Sequence, residues 1–473
     1  MADSPAWQTH ITATLVHPTE PSVWLRGGAT PALQFQHDGF VWYPDVAPVI
    51  DAMRDQWGVD AVVLRCVDMN VDRERRHRWH AYLMQPLSPD LPPDGCWAPI
   101  AALAPASLPD APGRETLLAA LRDIDAPAPP IRRPWTARGW FEAAVAWSGA
   151  ALHAAGVTQH GPPRQYRTWG LSTIIRFETS SGTVYFKASV FTGAGNASGT
   201  FLFANEAALL GALVERIPAH LPVPLAVDTE RVWLLLPDAG VQLVNRPDLD
   251  LWETALRLHA RHQRSWVGQT AALFRAGCLD RRLPRLAAQV EAALTDDAML
   301  RYVKQPEQDR IRAAIPTVHS YIAELATLDI PDTLIHGDLH IENVALRADR
   351  PTYFDWTDAA VAHPFLDLVT FIDESDYLDG IPGSRDRLVA AYLDEWRGAA
   401  PEESLQRAAA LILPLGMLHQ VVSYQHILPG LEEPGYEALA RGAAYWLERL
   451  LDYLPATPPP SPPLPVLGEG AGG

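Results

Sequence analysis

Leu334 to Trp356, LIHGDLHIENVALRADRPTYFDW, gathers two histidines, several carboxylates and an asparagine between apolar runs. Thr333-Leu334-Ile335 reads as a short strand, Gly337 permits a tight turn, and Asp338 emerges on the loop beyond it. Asn343 follows five positions later. A second β-run, TYFDW, delivers Asp355 at its end. Phosphoryl transfer needs this set: one carboxylate to orient and deprotonate an attacking hydroxyl, and separate oxygen ligands for Mg²⁺. Asp338 is the candidate for the first role, Asn343 and Asp355 for the second. Taken singly, an Asp or Asn here would only close a turn. The joint spacing H-G-D-x-x-x-x-N followed by F-D-W is what points to chemistry. His336 and His340 read as hydrogen-bonding partners of the loop backbone, since neither has a Cys or second His at metal-ligand spacing.

Composition narrows the field. The chain has 473 residues, 48% hydrophobic and 20% charged, which fits a globular protein of more than one domain. Its formal charge of −18 opposes phosphate backbones and anionic membranes, so neither nucleic acid nor membrane is expected as a partner. Oligomeric state is not legible. Cys66, Cys96 and Cys278 are odd in number and far apart, which reads as reduced core thiols rather than a disulfide framework. The start, MADSPAWQTHITATLVHP, has no basic-then-apolar leader, and no uninterrupted apolar segment has the length of a bilayer span; a cytoplasmic location is expected.

Two proline-rich stretches divide the chain. The reading is a β-rich domain over 1–125, a linker over 126–134, a second domain over 135–454, and a disordered Pro/Gly-rich tail over 455–473. After the linker, WTARGWFEAAVAWSGAALHAAG predicts a helix with Thr136 as N-cap and Gly156 as stop. STIIRFETSSGTVYFKAS predicts a hairpin turning at Ser180-Ser181-Gly182. From about Asp250 the periodicity is mostly helical. This is an α+β order, with strands first and helices later.

The motif residues resemble those of the aminoglycoside phosphotransferase and choline kinase group, small-molecule relatives of the protein kinases. The match continues in FDWTDAAVAHPFLDLVTF, where Pro364, Asp367 and Leu368 fall on the family's own Pro and Asp-Leu pair, although His363 replaces a common glycine. The resemblance covers about Tyr166 to Leu454. It implies a two-lobed protein-kinase-like fold, with a β-rich small lobe and a helical large lobe, and ATP or GTP as phosphoryl donor. Such a fold requires a small-lobe lysine paired with a helix carboxylate. Lys187 lies on the strand face opposite Val184 and Phe186, and Glu206 shares a helix face with Leu210, Leu213 and Ile217. A carboxylate on an apolar face needs a partner, and Lys187 is the natural one. In RTWGLSTI, Gly170, Ser172 and Thr173 are candidates for contacting the nucleotide phosphates. WLLLPDAG, Trp233 to Gly240, resembles the hinge that meets adenine. The glycine-rich TGAGNASG, Thr192 to Gly199, lacks the P-loop Lys-Ser/Thr and reads as a connector.

PVIDAMRDQWGVD in the first domain resembles a Nudix box in shape, with Gly58 and Val59 in register. The chemistry is missing: Ala52, Asp55 and Gln56 stand where metal-binding glutamates belong, and Asp51 replaces the box arginine. The expectation is an inactive Nudix-like accessory domain. The basic cluster in VDRERRHRWHAYL reads as a solvated hairpin tip. The combined expectation is an ATP- and Mg²⁺-dependent phosphotransferase acting on a hydroxyl of a small molecule such as an aminoglycoside or amino alcohol. The alternatives are a pseudokinase-like binding module and nucleotide hydrolysis by the first domain. DESDYLDG, Asp373 to Gly380, suggests either a site for a cationic acceptor or a solvated acidic loop.

Overall fold

The computed structural model describes residues 7–37, 42–88, 90–190, 203, 205–373 and 376–454; the Thr192–Gly199 stretch and the tail from Pro455 lie outside them. The first part of the chain comprises β1 (Trp7–Leu15), β2 (Ser22–Arg26), β3 (Ala32–His37), α1 (Ala47–Trp57), β4 (Ala61–Asp72), β5 (His77–Pro86), β6 (Gly95–Pro99) and α2 (Arg114–Arg122). Four strands form a mixed sheet in the order β3-β1-β5-β4, with β1 and β5 parallel; β2 and β6 pair separately. Alternation along the strands gives the sheet two apolar faces, and each takes one helix. α1 buries Val49, Ile50 and Met53 against Ile11, Ala13 and Tyr82, and stops at Gly58 with φ of 67°. α2 lays Leu117, Leu118 and Leu121 on the opposite face, over Leu64, Val67 and Leu83. The basic cluster is the β4–β5 hairpin tip, exposed at Arg73, Glu74 and Arg75.

The small lobe follows: α3 (Trp140–Ala154), β7 (Arg164–Thr168), β8 (Ser172–Thr179), β9 (Gly182–Ser189), α4 (Glu206–Val214), β10 (Ala226–Asp228) and β11 (Trp233–Pro237), its sheet ordered β10-β11-β9-β8-β7. The expected hairpin is present, with Thr179 paired to Gly182 across Ser180-Ser181. The helix after the linker differs at its start. Gly139, at φ of 81°, precedes Trp140, while Thr136 closes the preceding 3-10 turn by donating its hydroxyl to the Arg133 carbonyl at 2.7 Å. α3 is held by aromatic packing: Trp140 and Trp147, two turns apart, sit 5.9 and 5.8 Å from the Phe186 ring, which itself lies 5.2 Å from Trp233. α4 is shorter than its apolar pattern implied, so Ile217 lies beyond its end.

The chain enters the large lobe through β12 (Val241–Gln242) and α5 (Leu249–Ser265). Then come α6 (Thr270–Arg275), β13 (Leu279–Asp280), α7 (Leu283–Ala287), α8 (Val290–Leu294), α9 (Asp297–Leu300), α10 (Gln305–Ala313) and α11 (Ile315–Ala326). The motif region supplies β14 (Thr333–Ile335), β15 (Val344–Arg347), β16 (Arg350–Tyr353) and β17 (Ala360–Ala362). The remainder is α12 (Leu366–Asp373), α13 (Asp376–Asp379), α14 (Ser384–Glu395), α15 (Glu402–Ile427) and α16 (Gly435–Asp452). α15 has the length and hydropathy of a membrane span, but 78% of its apolar window is buried, against α11, α12 and α16 among others. Its apolarity is that of a core helix. A single apolar core runs through both lobes, a β-rich small one and a helical large one, in the α+β order expected. The thiols are free; Cys278 is buried, Cys66 partly buried and Cys96 exposed, so the core-thiol expectation fails at Cys96.

The crossing between lobes rests on Gly240. Its φ is +110°, and a Cβ there would stand 2.2 Å from the Leu346 carbonyl oxygen, where β12 joins β15. Backbone cannot yield as a side chain can. Gly240→Ala is expected to cost about 2 kcal/mol or more in urea unfolding; a midpoint equal to wild type would refute this constraint.

Candidate active site

Lys187 projects from β9 toward two carboxylates. Its Nζ lies 2.7 Å from Glu206 Oε2 on α4 and 2.8 Å from Asp355 Oδ1 beyond β16. Lys187 and Glu206 are buried, while the Asp355 side chain is 41% exposed and opens to the cleft. Burial works against the ammonium, but Asp355 and Glu206 outweigh it and hold the Lys187 pKa above its usual value. Asp355 shows the converse: partial enclosure in the cleft pushes its carboxyl up, yet Lys187 and the Thr357 hydroxyl hold it well below the carboxylate range. Glu206 does a second job. Its Oε1 accepts the Trp356 backbone N–H at 3.1 Å, tying α4 to the turn that carries Asp355.

Asp355 itself sits at φ of 61°, a left-handed conformation that aspartate tolerates better than most residues. The Asp338 loop is shaped by Gly337, φ 84°, where a Cβ would come within 2.2 Å of the Asp358 carbonyl oxygen. Asn343 donates from Nδ2 to the Asp338 carbonyl at 3.0 Å, leaving its amide oxygen as a prospective ligand. His340 accepts the Glu342 N–H, and its Nε2 lies 3.5 Å from Asp338 Oδ2. Burial raises the Asp338 pKa, but His340 and His336 outweigh it, so the group stays ionised. His336 has the backbone role expected, its Nε2 donating to the Phe354 carbonyl at 3.0 Å. His363 needs no glycine-like backbone; its Nδ1 accepts the Phe365 N–H inside the core.

A cleft of about 160 Å³ joins these groups, lined among others by Trp169, Ser172, Lys187, Asp338, Asp355 and Asp358. Ser172 therefore faces the candidate phosphate space. Gly170 and Thr173 do not: the Gly170 carbonyl accepts from Arg133, and the buried Thr173 hydroxyl turns to the Arg167 carbonyl at 3.3 Å. Among the described residues no three carboxylate, imidazole or thiolate groups converge in ligand geometry. The donor chemistry nevertheless fits a hard divalent cation. Burial, then the nearby charges of Asp338 and Asp355, pushes the Asp358 carboxyl up to about 7, a crowding of negative oxygens that such a cation relieves.

Asp358 was missed in the sequence, although it stands three residues after Asp355. Gln420 was missed too; it donates to the Gly337 carbonyl at 3.0 Å, and a polar residue inside the apolar run of α15 was its signal. The largest omission is the part played by Asp367. This buried carboxylate accepts the N–H groups of His336 at 2.7 Å and Gly337 at 2.8 Å, with His259 Nε2 at 2.7 Å and Gln263 Nε2 at 3.0 Å. It fixes the backbone from which Asp338 projects. Asp367→Ala strands these donors and is expected to cost about 3–5 kcal/mol. Chemical denaturation showing a loss under about 1 kcal/mol would contradict that role.

Comparison with known proteins follows the same region. No curated protein matches the chain. Solved structures align at low identity. The GDP and kanamycin complex of APH(2")-IIia has 16% identity and a TM-score of 0.46, covering 65% of this chain and 99% of that one. Choline kinase LicA from Streptococcus pneumoniae has 13% identity and a TM-score of 0.44, covering 65% and 99%. Macrolide 2'-phosphotransferase type I has 17% identity and a TM-score of 0.42, covering 63% and 96%. The span from just before α4 to the start of α15, residues 202–402, which holds Glu206, Asp338, Asn343 and Asp355, matches the phosphotransferase enzyme family.

Proposed function

We propose that the protein is a Mg²⁺-dependent phosphotransferase that moves the terminal phosphoryl group of ATP or GTP to a hydroxyl of a small molecule. The observation that carries this reading is the convergence of Lys187, Glu206, Asp338, Asn343 and Asp355, drawn from four separate segments, around one cleft. Asp338, held ionised and oriented by Asn343 and His340, accepts the proton as the acceptor oxygen attacks the terminal phosphorus. The bond from phosphorus to the bridging oxygen breaks, and the nucleoside diphosphate leaves. Lys187 exchanges part of its pairing with Asp355 for nucleotide phosphate oxygens, while Glu206 keeps its position. Asn343 and Asp355 would hold Mg²⁺, which supplies charge neutralisation at the phosphates. Catalysis of this kind depends on positioning and electrostatics.

Two carboxylates of the acidic stretch have arginine partners. Asp373 is buried and paired with Arg449, while Asp379 pairs with Arg385 at 2.7 Å. Glu374 and Ser375 lie outside the described residues. These arginines also border a cavity of about 890 Å³ with Trp252, Tyr377, Tyr445 and Ile341. Ile341 is only three residues beyond Asp338. The aromatic faces support an acceptor recognised in part through shape and ring stacking.

The test is a phosphorylation screen over amino sugars, amino alcohols, nucleosides and neutral glycosides, followed by Asp338→Asn. That substitution keeps shape and removes basicity, so kcat is expected to fall about 10²- to 10⁴-fold with little change in nucleotide affinity. Undiminished turnover in the variant would remove Asp338 from the reaction. A second arm uses Asp355→Ala, expected to abolish Mg²⁺-dependent nucleotide binding in calorimetry; an unchanged affinity in the folded variant would exclude it as a ligand.

A further inference from the structure

The loop between β7 and β8 lines the cleft through Trp169, Leu171 and Ser172. Its other side is gripped by residues that precede the small lobe. The Trp135 indole N–H donates to the Trp169 carbonyl at 2.9 Å, and Arg133 Nε donates to the Gly170 carbonyl at 2.7 Å. The same guanidinium donates through its second arm to the carbonyl of Gly430, in the turn between α15 and α16. One side chain thus spans the small lobe and the large lobe. Arg132 reinforces the large-lobe end, its guanidinium reaching Glu432 at 2.9 and 3.2 Å. Contact is direct as well: a Cβ on Gly170 would lie 2.6 Å from Leu431 Cδ2, so this loop rests on the α15–α16 turn.

The first domain presses on the same loop. Pro44 accepts the Thr168 N–H at 2.9 Å, Trp42 meets Trp169 edge to face at 4.8 Å, and the Arg167 guanidinium lies over both rings. Arg133 is half-desolvated, with a pKa lowered to about 10 by burial, so it remains a cation at neutral pH. Bonds from a charged guanidinium to neutral carbonyls in such a setting are strong and directional.

We propose that Arg133 is a positioning residue: by bridging Gly170 and Gly430 it fastens the β7–β8 loop to the large lobe and presets the roof of the cleft for nucleotide. Residues 126–134 then act as an anchored strap rather than a spacer, and the first domain serves as its abutment. The proposal rests on the phosphotransferase reading for its nucleotide, but not for its mechanics. Two readouts on the full chain keep these apart. In Arg133→Ala, amide hydrogen exchange is expected to accelerate together in 166–172 and 428–435, with 334–343 unchanged. The MgATP dissociation constant should rise about 10-fold, within the usual range for coupling between elements. Arg133→Lys, which keeps the charge but cannot fork to both carbonyls, should fall between wild type and Ala on both measures. A purely structural arginine would instead lower the melting temperature and speed exchange uniformly. The proposal is overturned if exchange in the two segments stays at wild-type rates, or if it accelerates while affinity holds. A wild-type protein that binds no nucleotide would refute the function, and exchange alone would then decide the strap.

Discussion

A buried ammonium must be neutralised, and the geometry of the cleft follows from how Lys187 meets that requirement. Desolvation of a lysine costs several kcal/mol unless opposite charge lies within contact distance. Glu206 and Asp355 supply that charge from elements separated by 149 residues of chain, so β9, α4 and the turn after β16 must dock together for any of the three to be satisfied. With two carboxylates on one ammonium, the pair carries excess negative charge. That excess makes Asp355 available to another cation while Glu206, sealed in the core and bonded to the Trp356 N–H, stays with the lysine.

Asp367 imposes a parallel constraint below the cleft. Four donors converge on one buried carboxylate, two of them consecutive backbone amides of His336 and Gly337. The peptide preceding Asp338 is held from beneath by Asp367, and the Gly337 carbonyl is held from the side by Gln420. Asp338 therefore faces the cleft from a backbone held on two sides. Positioned catalysis gains from such rigidity, because small displacements of the acting group are costly in rate.

Local patterns made much of this legible. The Asp338 and Asn343 loop, Asp355 at a strand end, and the Ser180-Ser181 hairpin each depend on residues a few positions apart. Lys187 and Glu206 were legible because alternation and an apolar helix face left each charge in need of a partner. Long-range bonds were not legible. Arg133 reaches Gly430 across 297 positions, and nothing near a basic residue in a proline-rich stretch distinguishes a tie from a spacer. The Thr136 cap failed because Gly139 offered a left-handed start to α3 and Thr136 was consumed by the turn before it. Thr173 failed because β8 alternation points it into the sheet interior, one position out of phase with Ser172. Within the acidic run Asp373 to Gly380 the partners of Asp373 and Asp379 were not legible either, since Arg449 lies far away in sequence and Arg385 on the next helix.

The join between the first domain and the small lobe shows how two sheets can become one body without sharing a ladder. β4 is an edge of the mixed sheet and β7 an edge of the small-lobe sheet, and edges left open invite pairing with other chains. Each is irregular where they meet, with register shifts beside Val63 on β4 and beside Gln165 on β7. The Gln165 side chain closes the gap: its Oε1 accepts the Val63 N–H at 2.8 Å and its Nε2 donates to the Val63 carbonyl at 2.9 Å. A primary amide carries the same donor and acceptor as a peptide, so it stands in for one residue of a neighbouring strand. Buried on both sides, this pair resists shear between the sheets more than an exposed contact would. The force that the first domain places on the β7–β8 loop through Pro44 and Trp42 is thus applied from a fixed base, since β7 is anchored to that domain at Gln165 only a few residues before the loop begins.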